Sequence, residues 1–324
     1  MRVFITGGTG FIGGHVVREL RERGDEVACL VRDPARGRAL EELGAELVRG
    51  DVTDRDAVRR GLEGADAAIH VAAIYKIGIP ASEREAMRQA NVVGTETVLD
   101  AAAEAGTGRI VHVSTINVFG NTKGQVVDEG YQRDLAEGFL SYYDETKYRA
   151  HEIALERIAQ GAPVVIVQPG GVYGPGDHSE IGAMIRRMAR SPLPLLAFPK
   201  LGFNLVHVED AAAGILLALD KGRVGESYVL GGEISTMGEV MRKVARLAGR
   251  RVPALPVPAL AARLSAPLGP YVGPMLGFPP NLAEAVRAAD GVTYWASDAK
   301  ARRELGYAPR DLDTGLAQTL AAGP

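Results

Sequence analysis

Apolar and polar positions are arranged in alternating blocks along the first half of the chain. Short runs of mostly apolar residues are separated by longer stretches in which apolar positions recur at helical spacing. Apolar strands that alternate with helices predict a parallel sheet covered by helices on both faces. The predicted strands are residues 2–6, 26–31, 46–49, 67–72, 109–113 and 164–168, and the clearest helices are residues 11–23, 83–105 and 142–160.

This alternation fades after about residue 168, where prolines and glycines become dense. The change predicts a doubly wound α/β domain over residues 1–168 and a smaller substrate-binding domain over residues 169–324. We expect the second domain to be discontinuous, because residues 203–219 look like a strand and helix that return to the first. Doubly wound sheets bind ligands beyond the carboxyl ends of their strands, so candidate site residues are sought there.

Composition and charge narrow the class of protein. The formal charge is −3, from 37 Lys and Arg against 40 Asp and Glu, which does not resemble a nucleic-acid binder. A single cysteine, Cys29, cannot form an intrachain disulfide and fits a reducing compartment. Without a signal-peptide pattern or an apolar run of roughly 18 residues, we expect a cytoplasmic protein that binds no membrane. The histidine spacing predicts no metal site.

A glycine-rich segment follows the first predicted strand and opens the first predicted helix. Glycines at this place allow a tight turn and close approach of the backbone to a pyrophosphate, and the helix N-terminus offers free N–H groups. Two spacings fit: Gly8, Gly10 and Gly13 match G-x-G-x-x-G, and Gly7, Gly10 and Gly13 match G-x-x-G-x-x-G. Both predict a Rossmann-type dinucleotide site. The expected contacts are Gly7, Thr9, Gly10, Phe11, Ile12 and Gly13.

The end of the second predicted strand bears on the choice between NAD and NADP. A carboxylate there would accept a hydrogen bond from the ribose 2′-hydroxyl of NAD, whereas an arginine would hold the 2′-phosphate of NADP. Arg32 lies where the strand should end and favours NADP. Asp33 lies about 20 residues beyond the glycines, so NAD stays the alternative cofactor.

Tyr143 and Lys147 form a Tyr-x-x-x-Lys pair near the start of the third predicted helix. A spacing of four residues places both side chains on one helical face. A tyrosine has a pKa near 10, and a neighbouring ammonium lowers that pKa by stabilising the phenolate. The pair therefore predicts a proton-transfer centre that contacts both cofactor and substrate.

These motifs together resemble the extended short-chain dehydrogenase/reductases, the NAD-dependent epimerase/dehydratase family. The resemblance extends to N-V-V-G-T at residues 91–95, V-A-A at 71–73, P-G-G-V-Y-G-P-G-D at 169–177 and V-H-V-E-D at 206–210. Gln168 replaces an arginine that is usual there. The resemblance implies that Thr115 polarises the substrate oxygen, with Ser114 as the runner-up. The further cofactor contacts that it implies are Asp51, Val52, Val71, Ala72, Ala73, Asn91, Pro169 and Val172. It also implies that Asn91 braces the active-site backbone.

Two regions separate the branches of this family. The 4,6-dehydratases resemble one another in carrying Thr-Asp-Glu where this chain has Thr115-Ile116-Asn117, so the acid–base pair for water elimination is missing. The chain looks closest to dihydroflavonol-reductase-like and hopanoid-associated epimerase-like proteins. Arg263 and Arg287 are consistent with a sugar diphosphate as the alternative substrate. Apolar side chains that instead suit an apolar carbonyl compound are Phe198, Phe203, Tyr271, Met275, Phe278, Tyr294 and Trp295.

We therefore expect an NAD(P)-dependent oxidoreductase, with NADP preferred, that interconverts a carbonyl and a secondary alcohol on a fairly apolar substrate. A nucleotide-sugar 4-epimerase with tightly held NAD is the first alternative, and a dinucleotide-sensing protein without turnover is the second. A homodimer is expected, because the helices at residues 83–105 and 142–160 lie where relatives pair.

Overall fold

Seven parallel strands form the main sheet of the protein, as a computed structural model shows. The structure describes residues 1–191, 195–196, 198–250, 255–256 and 279–322. The strand order is β10-β6-β5-β4-β1-β2-β3, the doubly wound order with one added edge strand. The bounds are β1 Arg2–Thr6, β2 Glu26–Val31, β3 Glu46–Arg49, β4 Ala67–His70, β5 Arg109–Val113, β6 Val164–Pro169 and β10 Ser227–Leu230.

Helices cover both faces of this sheet, which explains why its strands are apolar on both sides. Alternate residues of β1 serve different cores. Val3 and Ile5 pack in a cluster with residues of the first and eighth helices, whereas Phe4 packs in a cluster with the third, fifth and sixth. The helices concerned are α1 Phe11–Glu22, α2 Arg38–Glu42, α3 Arg55–Leu62, α4 Ala81–Arg88, α5 Gly94–Glu104, α6 Tyr142–Ala159 and α8 Val208–Lys221.

A smaller sheet is centred on β9 (Gly202–His207). β9 pairs in parallel with β7 (Gly171–Tyr173) and β13 (Thr293–Tyr294), and antiparallel with β11 (Glu233–Thr236). Further helices pack here in a separate core. The remaining elements are α7 Glu180–Arg190, β8 Leu195–Leu196, α9 Met237–Leu247, β12 Leu255–Pro256, α10 Leu282–Ala289, α11 Ala299–Leu305 and α12 Leu312–Ala321.

The fold class and the six predicted strands are confirmed, with shifts of up to two residues at their ends. The predicted helix at residues 83–105 is interrupted by a π-helical turn, Gln89–Val93. Within residues 203–219 the strand joins the small sheet, while α8 packs against α1. The domain boundaries stay a prediction. Arg263, Tyr271, Met275 and Phe278 lie outside the described residues.

Candidate active site

A cavity of about 800 Å³ lies at the carboxyl ends of the main strands. It spans the point between β1 and β4 where the strand order reverses, which is where doubly wound sheets bind dinucleotides. Its volume is in the range of small-molecule and cofactor sites. Of the residues that the sequence analysis names as contacts or catalytic groups, every one except Asn91 lines this cavity.

The glycine loop joins β1 to α1 and has no room for side chains at two positions. Gly7 has a φ of +79°, and a Cβ there would lie 2.6 Å from the backbone nitrogen of Ala72. A Cβ on Gly13 would lie 2.1 Å from the carbonyl oxygen of Gly7. Gly8 instead faces the core side chains of Val17 and Cys29. The cavity-side glycines are thus Gly7, Gly10 and Gly13, the second of the two spacings.

The loop fits the pyrophosphate of a dinucleotide. α1 begins at Phe11, directly at the cavity, and its first turn contains no acidic residue. The first N–H groups of a helix lack partners within it and carry partial positive charge. The backbone at Gly10, Phe11 and Ile12 would hold the phosphates, because these residues line the cavity.

The far end of the cavity is lined by basic residues. Arg32 and Arg36 line it, and the Arg32 side chain is 68% exposed with its Nε 3.9 Å from Oδ2 of Asp51. Asp33 caps the short 3₁₀ helix that follows β2, since its Oδ1 accepts a hydrogen bond from the Ala35 N–H at 3.0 Å. The carboxylate that would favour NAD is therefore engaged in local structure, while the guanidinium groups face the site.

Tyr143 and Lys147 lie in the first two turns of α6, and both are buried. Ser141 caps this helix by accepting from the Asp144 N–H, which fixes where it begins. The lowering of the Tyr143 pKa that the sequence predicted from Lys147 is wrong: burial raises this pKa above its usual range, and a hydrogen bond with Thr115 opposes that rise. Burial lowers the pKa of Lys147 to about 8. Lys147 Nζ donates to the Val113 carbonyl at 2.9 Å.

The two candidate hydroxyls at the end of β5 have different surroundings. Ser114 Oγ lies 3.0 Å from Nδ1 of His151. Thr115 Oγ1 donates to the side-chain oxygen of Asn117 at 3.1 Å and is the hydroxyl that pairs with Tyr143. The geometry therefore favours Thr115 over Ser114 as the partner of the tyrosine.

Asn91 acts on the backbone of the site without lining the cavity. Its Oδ1 accepts from the Ile74 N–H at 2.7 Å, and its Nδ2 donates to the Ile74 carbonyl at 3.0 Å. The same Nδ2 lies 3.0 Å from Oγ1 of Thr146, next to Lys147. Asn91 thus braces the segment after β4 against α6, as the resemblance implies.

A directed chain of hydrogen bonds ties β1 to this brace. Thr95 Oγ1 donates to the Asn91 carbonyl at 2.7 Å, so it accepts from Nε2 of His70 at 3.0 Å. Nδ1 of His70 is then unprotonated and accepts from Oγ1 of Thr6 at 2.7 Å. Burial, and secondly the charge of Lys147, lower the pKa of His70 to about 3. His70 is therefore neutral and has a fixed tautomer.

The substrate side of the cavity contains residues that the sequence did not single out as site residues. They belong to the segment after β4, the loop before α7, the start of α7 and strand β9, and local motifs do not connect these segments. Two polar oxygens here, Asp177 Oδ2 and Ser179 Oγ, are buried without a protein partner among the described residues. The newly found wall residues are Ile74, Tyr75, Asp177, His178, Ser179 and Ile181, together with Phe203 from the apolar set.

Two classes of feature are missing from the part of the chain that the structure describes. No helix there combines the length and apolar character needed to cross a bilayer. No group of three or more His, Cys, Asp or Glu side chains there is arranged to bind a metal ion.

Comparisons with known proteins agree with this geometry. A Synechocystis sp. protein provisionally named dihydroflavonol 4-reductase is 34% identical, over 98% of this chain and 93% of that protein. The Stigmatella aurantiaca 4-hydroxy-2-methyl-3-oxo-4-farnesyl-3,4-dihydroquinoline-1-oxide ketoreductase is 32% identical, over 100% and 97%. The structure of DesIV, a dTDP-glucose 4,6-dehydratase of Streptomyces venezuelae, as a double mutant with NAD bound, superposes with a TM-score of 0.79 at 27% identity, covering 99% and 96%.

The family model that matches this chain covers residues 3–231, which include all of the main sheet except Arg2 and the centre of the small one. The match includes the glycine loop, the strand ends and α6. The chain belongs to the NAD-dependent epimerase/dehydratase family, and it is an NAD(P)-dependent enzyme of the extended short-chain dehydrogenase/reductase type.

Proposed function

We propose that this enzyme interconverts an apolar carbonyl compound and its secondary alcohol, with NADP(H) as the redox partner. The observation that carries the proposal is the buried group of Thr115, Tyr143 and Lys147 at the end of a backbone cradle that fits a dinucleotide. Nicotinamide, when bound, supplies or accepts the hydride at the carbonyl carbon. The residues of the chain bind, orient and move the proton.

Tyr143 is the proposed proton donor in the direction of reduction. Its raised pKa keeps the phenol protonated at neutral pH, so it can donate to the substrate oxygen as a general acid. Thr115 shares a hydrogen bond with that phenol and is placed to polarise the same oxygen. Lys147, held by the Val113 carbonyl, would stabilise the phenolate that remains.

An apolar substrate is favoured over a sugar diphosphate by the walls of the cavity. Ile181 and Phe203 line the substrate side. Arg287, a candidate for binding a sugar diphosphate, instead donates to the Leu140 carbonyl at 2.9 Å. Arg263 is outside the described residues. The two sequence relatives named above carry the names of reductases, which supports carbonyl chemistry in this chain.

NADP is the proposed cofactor, although the bound nucleotide in DesIV is NAD. Arg32 and Arg36 both line the end of the cavity where a 2′-phosphate would lie. A guanidinium matches a phosphate with two parallel hydrogen bonds. The wild-type enzyme should therefore bind NADP more tightly than NAD in calorimetric titrations.

A spectroscopic assay tests the function. The full-length enzyme is mixed with NADPH and a panel of cyclic and acyclic ketones, and the nicotinamide absorbance band is followed. Loss of the band together with alcohol formation is expected. Conversion of a UDP-sugar to its 4-epimer without net loss of NADH or NADPH would instead identify an epimerase, and dinucleotide binding without turnover would identify a sensing protein.

We also propose that two chains pair through α4, α5 and α6. Small residues recur at helical spacing along residues 83–105, and two of them, Ala86 and Thr97, are not fully buried, while Leu155 on α6 is 39% exposed. Small residues allow close helix approach, and two-fold pairing is the commonest oligomer symmetry. A light-scattering mass of two chains at micromolar concentration is expected. A one-chain mass would refute the pairing and leave the site intact, because its residues come from one chain.

A further inference from the structure

We infer that the cavity selects substrates with a flat ring next to the reacting carbonyl, and that Tyr75 makes this selection. The idea rests on the proposed carbonyl chemistry, because it names the substrate class of the same site. Tyr75 lies five residues beyond the end of β4 and lines the cavity. Tyr75 is 44% exposed, more than any other tyrosine or phenylalanine among the described residues.

The ring of Tyr75 lies directly beside the proposed proton donor. Its centroid is 4.8 Å from that of Tyr143, and the two ring planes are nearly perpendicular, at 86°. Such edge-to-face contact is a favoured geometry for aromatic pairs. Because Tyr143 is buried and Tyr75 is half exposed, Tyr75 offers an accessible ring surface beside the phenol of Tyr143, where a bound substrate would contact it.

The backbone around Tyr75 is held from both ends, so the ring is presented in a defined position. On one side Asn91 binds both the N–H and the carbonyl of Ile74. On the other side the Gly78 N–H donates to Oε1 of Glu284 at 3.2 Å, and the Gly78 carbonyl accepts from the Asn281 N–H at 2.9 Å. A surface that is fixed before binding costs less conformational entropy when the ligand arrives.

Glu284 extends this support to the catalytic helix. Its buried carboxylate also accepts from the Tyr142 N–H at 3.1 Å, in the first turn of α6. A negative charge at a helix N-terminus is stabilising. One side chain of α10 therefore positions the segment that carries Tyr75 relative to the helix that carries Tyr143.

The substrate side of the cavity also contains apolar and aromatic side chains, beside the polar Asp177 and Ser179. Ile74 and Ile181 line the cavity, and so does Phe203, whose ring stacks on Tyr294 at 5.3 Å with planes only 9° apart. Rigid ring faces gain more from a flat ring than from a flexible chain, because aromatic pairs add to the burial of area and a chain loses rotamer freedom on binding. The walls therefore fit a fused-ring or aryl ketone.

Paired ketones test this assignment in the full-length enzyme with NADPH. Tetralone carries an aromatic ring beside its carbonyl-bearing ring, and octanone is an acyclic ketone of similar polarity. The measured quantity is the ratio of kcat/KM for tetralone to that for octanone. Y75A is expected to lower this ratio about tenfold, mainly through the KM of tetralone.

Two further variants separate the contribution of the aromatic ring from those of the hydroxyl and of side-chain volume. Y75F keeps the ring and should keep the wild-type ratio within about twofold, whereas Y75L keeps apolar bulk and should behave like Y75A. Melting temperatures near that of the wild type will show that each variant folds, as expected for a half-exposed side chain. An unchanged ratio in Y75A, or a loss in Y75F as large as in Y75A, would overturn the role of the ring.

Binding of tetralol, the alcohol product, gives a measurement that does not depend on turnover. Calorimetry on the enzyme loaded with NADPH, which cannot accept a hydride from the alcohol, should show tetralol binding that Y75A weakens about tenfold and Y75F preserves. That result without reduction of any ketone would remove the proposed function and leave the ring subsite standing. Failure of the wild type to bind tetralol would overturn the subsite, even if octanone is reduced.

Discussion

In the half of the cavity that we propose binds the cofactor, the lining comes largely from backbone at the ends of neighbouring strands. In the half that we propose binds the substrate, it comes from side chains of segments far apart in sequence. Gly7 in the loop and Gly13 in the first turn of α1 lie so close that a Cβ on Gly13 would clash with the Gly7 carbonyl. Tyr75 depends on Asn91, Glu284 and Asn281, the last two more than 200 residues away. Constraints of the first kind leave a local trace in the sequence, and constraints of the second kind do not.

The largest expected effect comes from removing the hydroxyl of Tyr143, which lies where these two halves meet. Y143F should lower kcat by about 10²–10⁴-fold, because general acid–base catalysis contributes that much. Its affinity for NADP, measured by calorimetry, should stay close to the wild-type value, since the glycine loop is untouched. Steady-state reduction of a ketone that the wild type accepts measures the change.

The neighbouring tyrosine is a matched control. Tyr142 packs under the guanidinium of Arg84, 5.1 Å from its ring centroid, and does not line the cavity. Y142F should therefore keep most of the wild-type kcat. A Y143F enzyme that retained more than about a tenth of the wild-type kcat would contradict the assignment of Tyr143 as the proton donor.

The burial of Lys147 can be measured through its effect on the free energy of unfolding. Its pKa is about 8 in the folded protein, against 10.5 for an exposed lysine. Between these values the unfolded chain binds more protons than the folded chain, so the free energy of unfolding rises with pH. For this side chain alone the rise is about 3 kcal/mol. Urea unfolding of the cofactor-free protein at pH 8 and at pH 10.5 measures it.

K147M lacks this titration and serves as the reference. The wild type should gain about 3 kcal/mol relative to K147M over that pH interval. Other ionising groups, such as the tyrosines, are shared by both proteins and cancel in the difference. Parallel pH profiles for the two proteins would show that Lys147 is not held in a low-dielectric site.

The sequence predicted the main sheet, the glycine loop and the Tyr143–Lys147 pair because each is a local pattern that backbone geometry demands. The strand β10 was missed because it has only four residues, Ser227–Leu230, and so short a run carries too little periodicity to predict a strand. The resemblance implied two roles for Asn91: its hydrogen bonds to Ile74 agree with the bracing of the backbone, whereas the direct cofactor contact stays a prediction because Asn91 does not line the cavity. Tyr75 has no motif at all, because its importance arises from what packs around it.

A pair of adjacent glycines tests how far the cofactor half depends on the backbone. G13A would place a Cβ 2.1 Å from the Gly7 carbonyl oxygen, so we expect the loop to shift, with a loss of about 1–3 kcal/mol in stability and weaker NADP binding. G14A would place its Cβ an ordinary 3.5 Å from the Gly8 carbonyl and should be neutral or slightly stabilising. Thermal unfolding and calorimetry compare the two variants. Equal effects would show that the close approach is not what requires glycine at residue 13.

The last test concerns the end of the cavity lined by Arg32, where the proposed cofactor recognition changes from backbone to side chain. R32D replaces a guanidinium that faces the cavity with a carboxylate, which repels a 2′-phosphate and can accept a hydrogen bond from a 2′-hydroxyl. The ratio of NADP to NAD affinity should fall about tenfold to hundredfold, because a hydrogen bond to a charged group contributes about 1.5–3 kcal/mol. R18D, on the exposed side of α1 and outside the cavity, changes the net charge equally and should leave the ratio near the wild-type value. Raising the salt concentration should weaken NADP binding to the wild type and to R18D alike, because Arg32 is largely exposed to solvent. If R32D and R18D shifted the ratio equally, net charge and not a positioned guanidinium would set the preference.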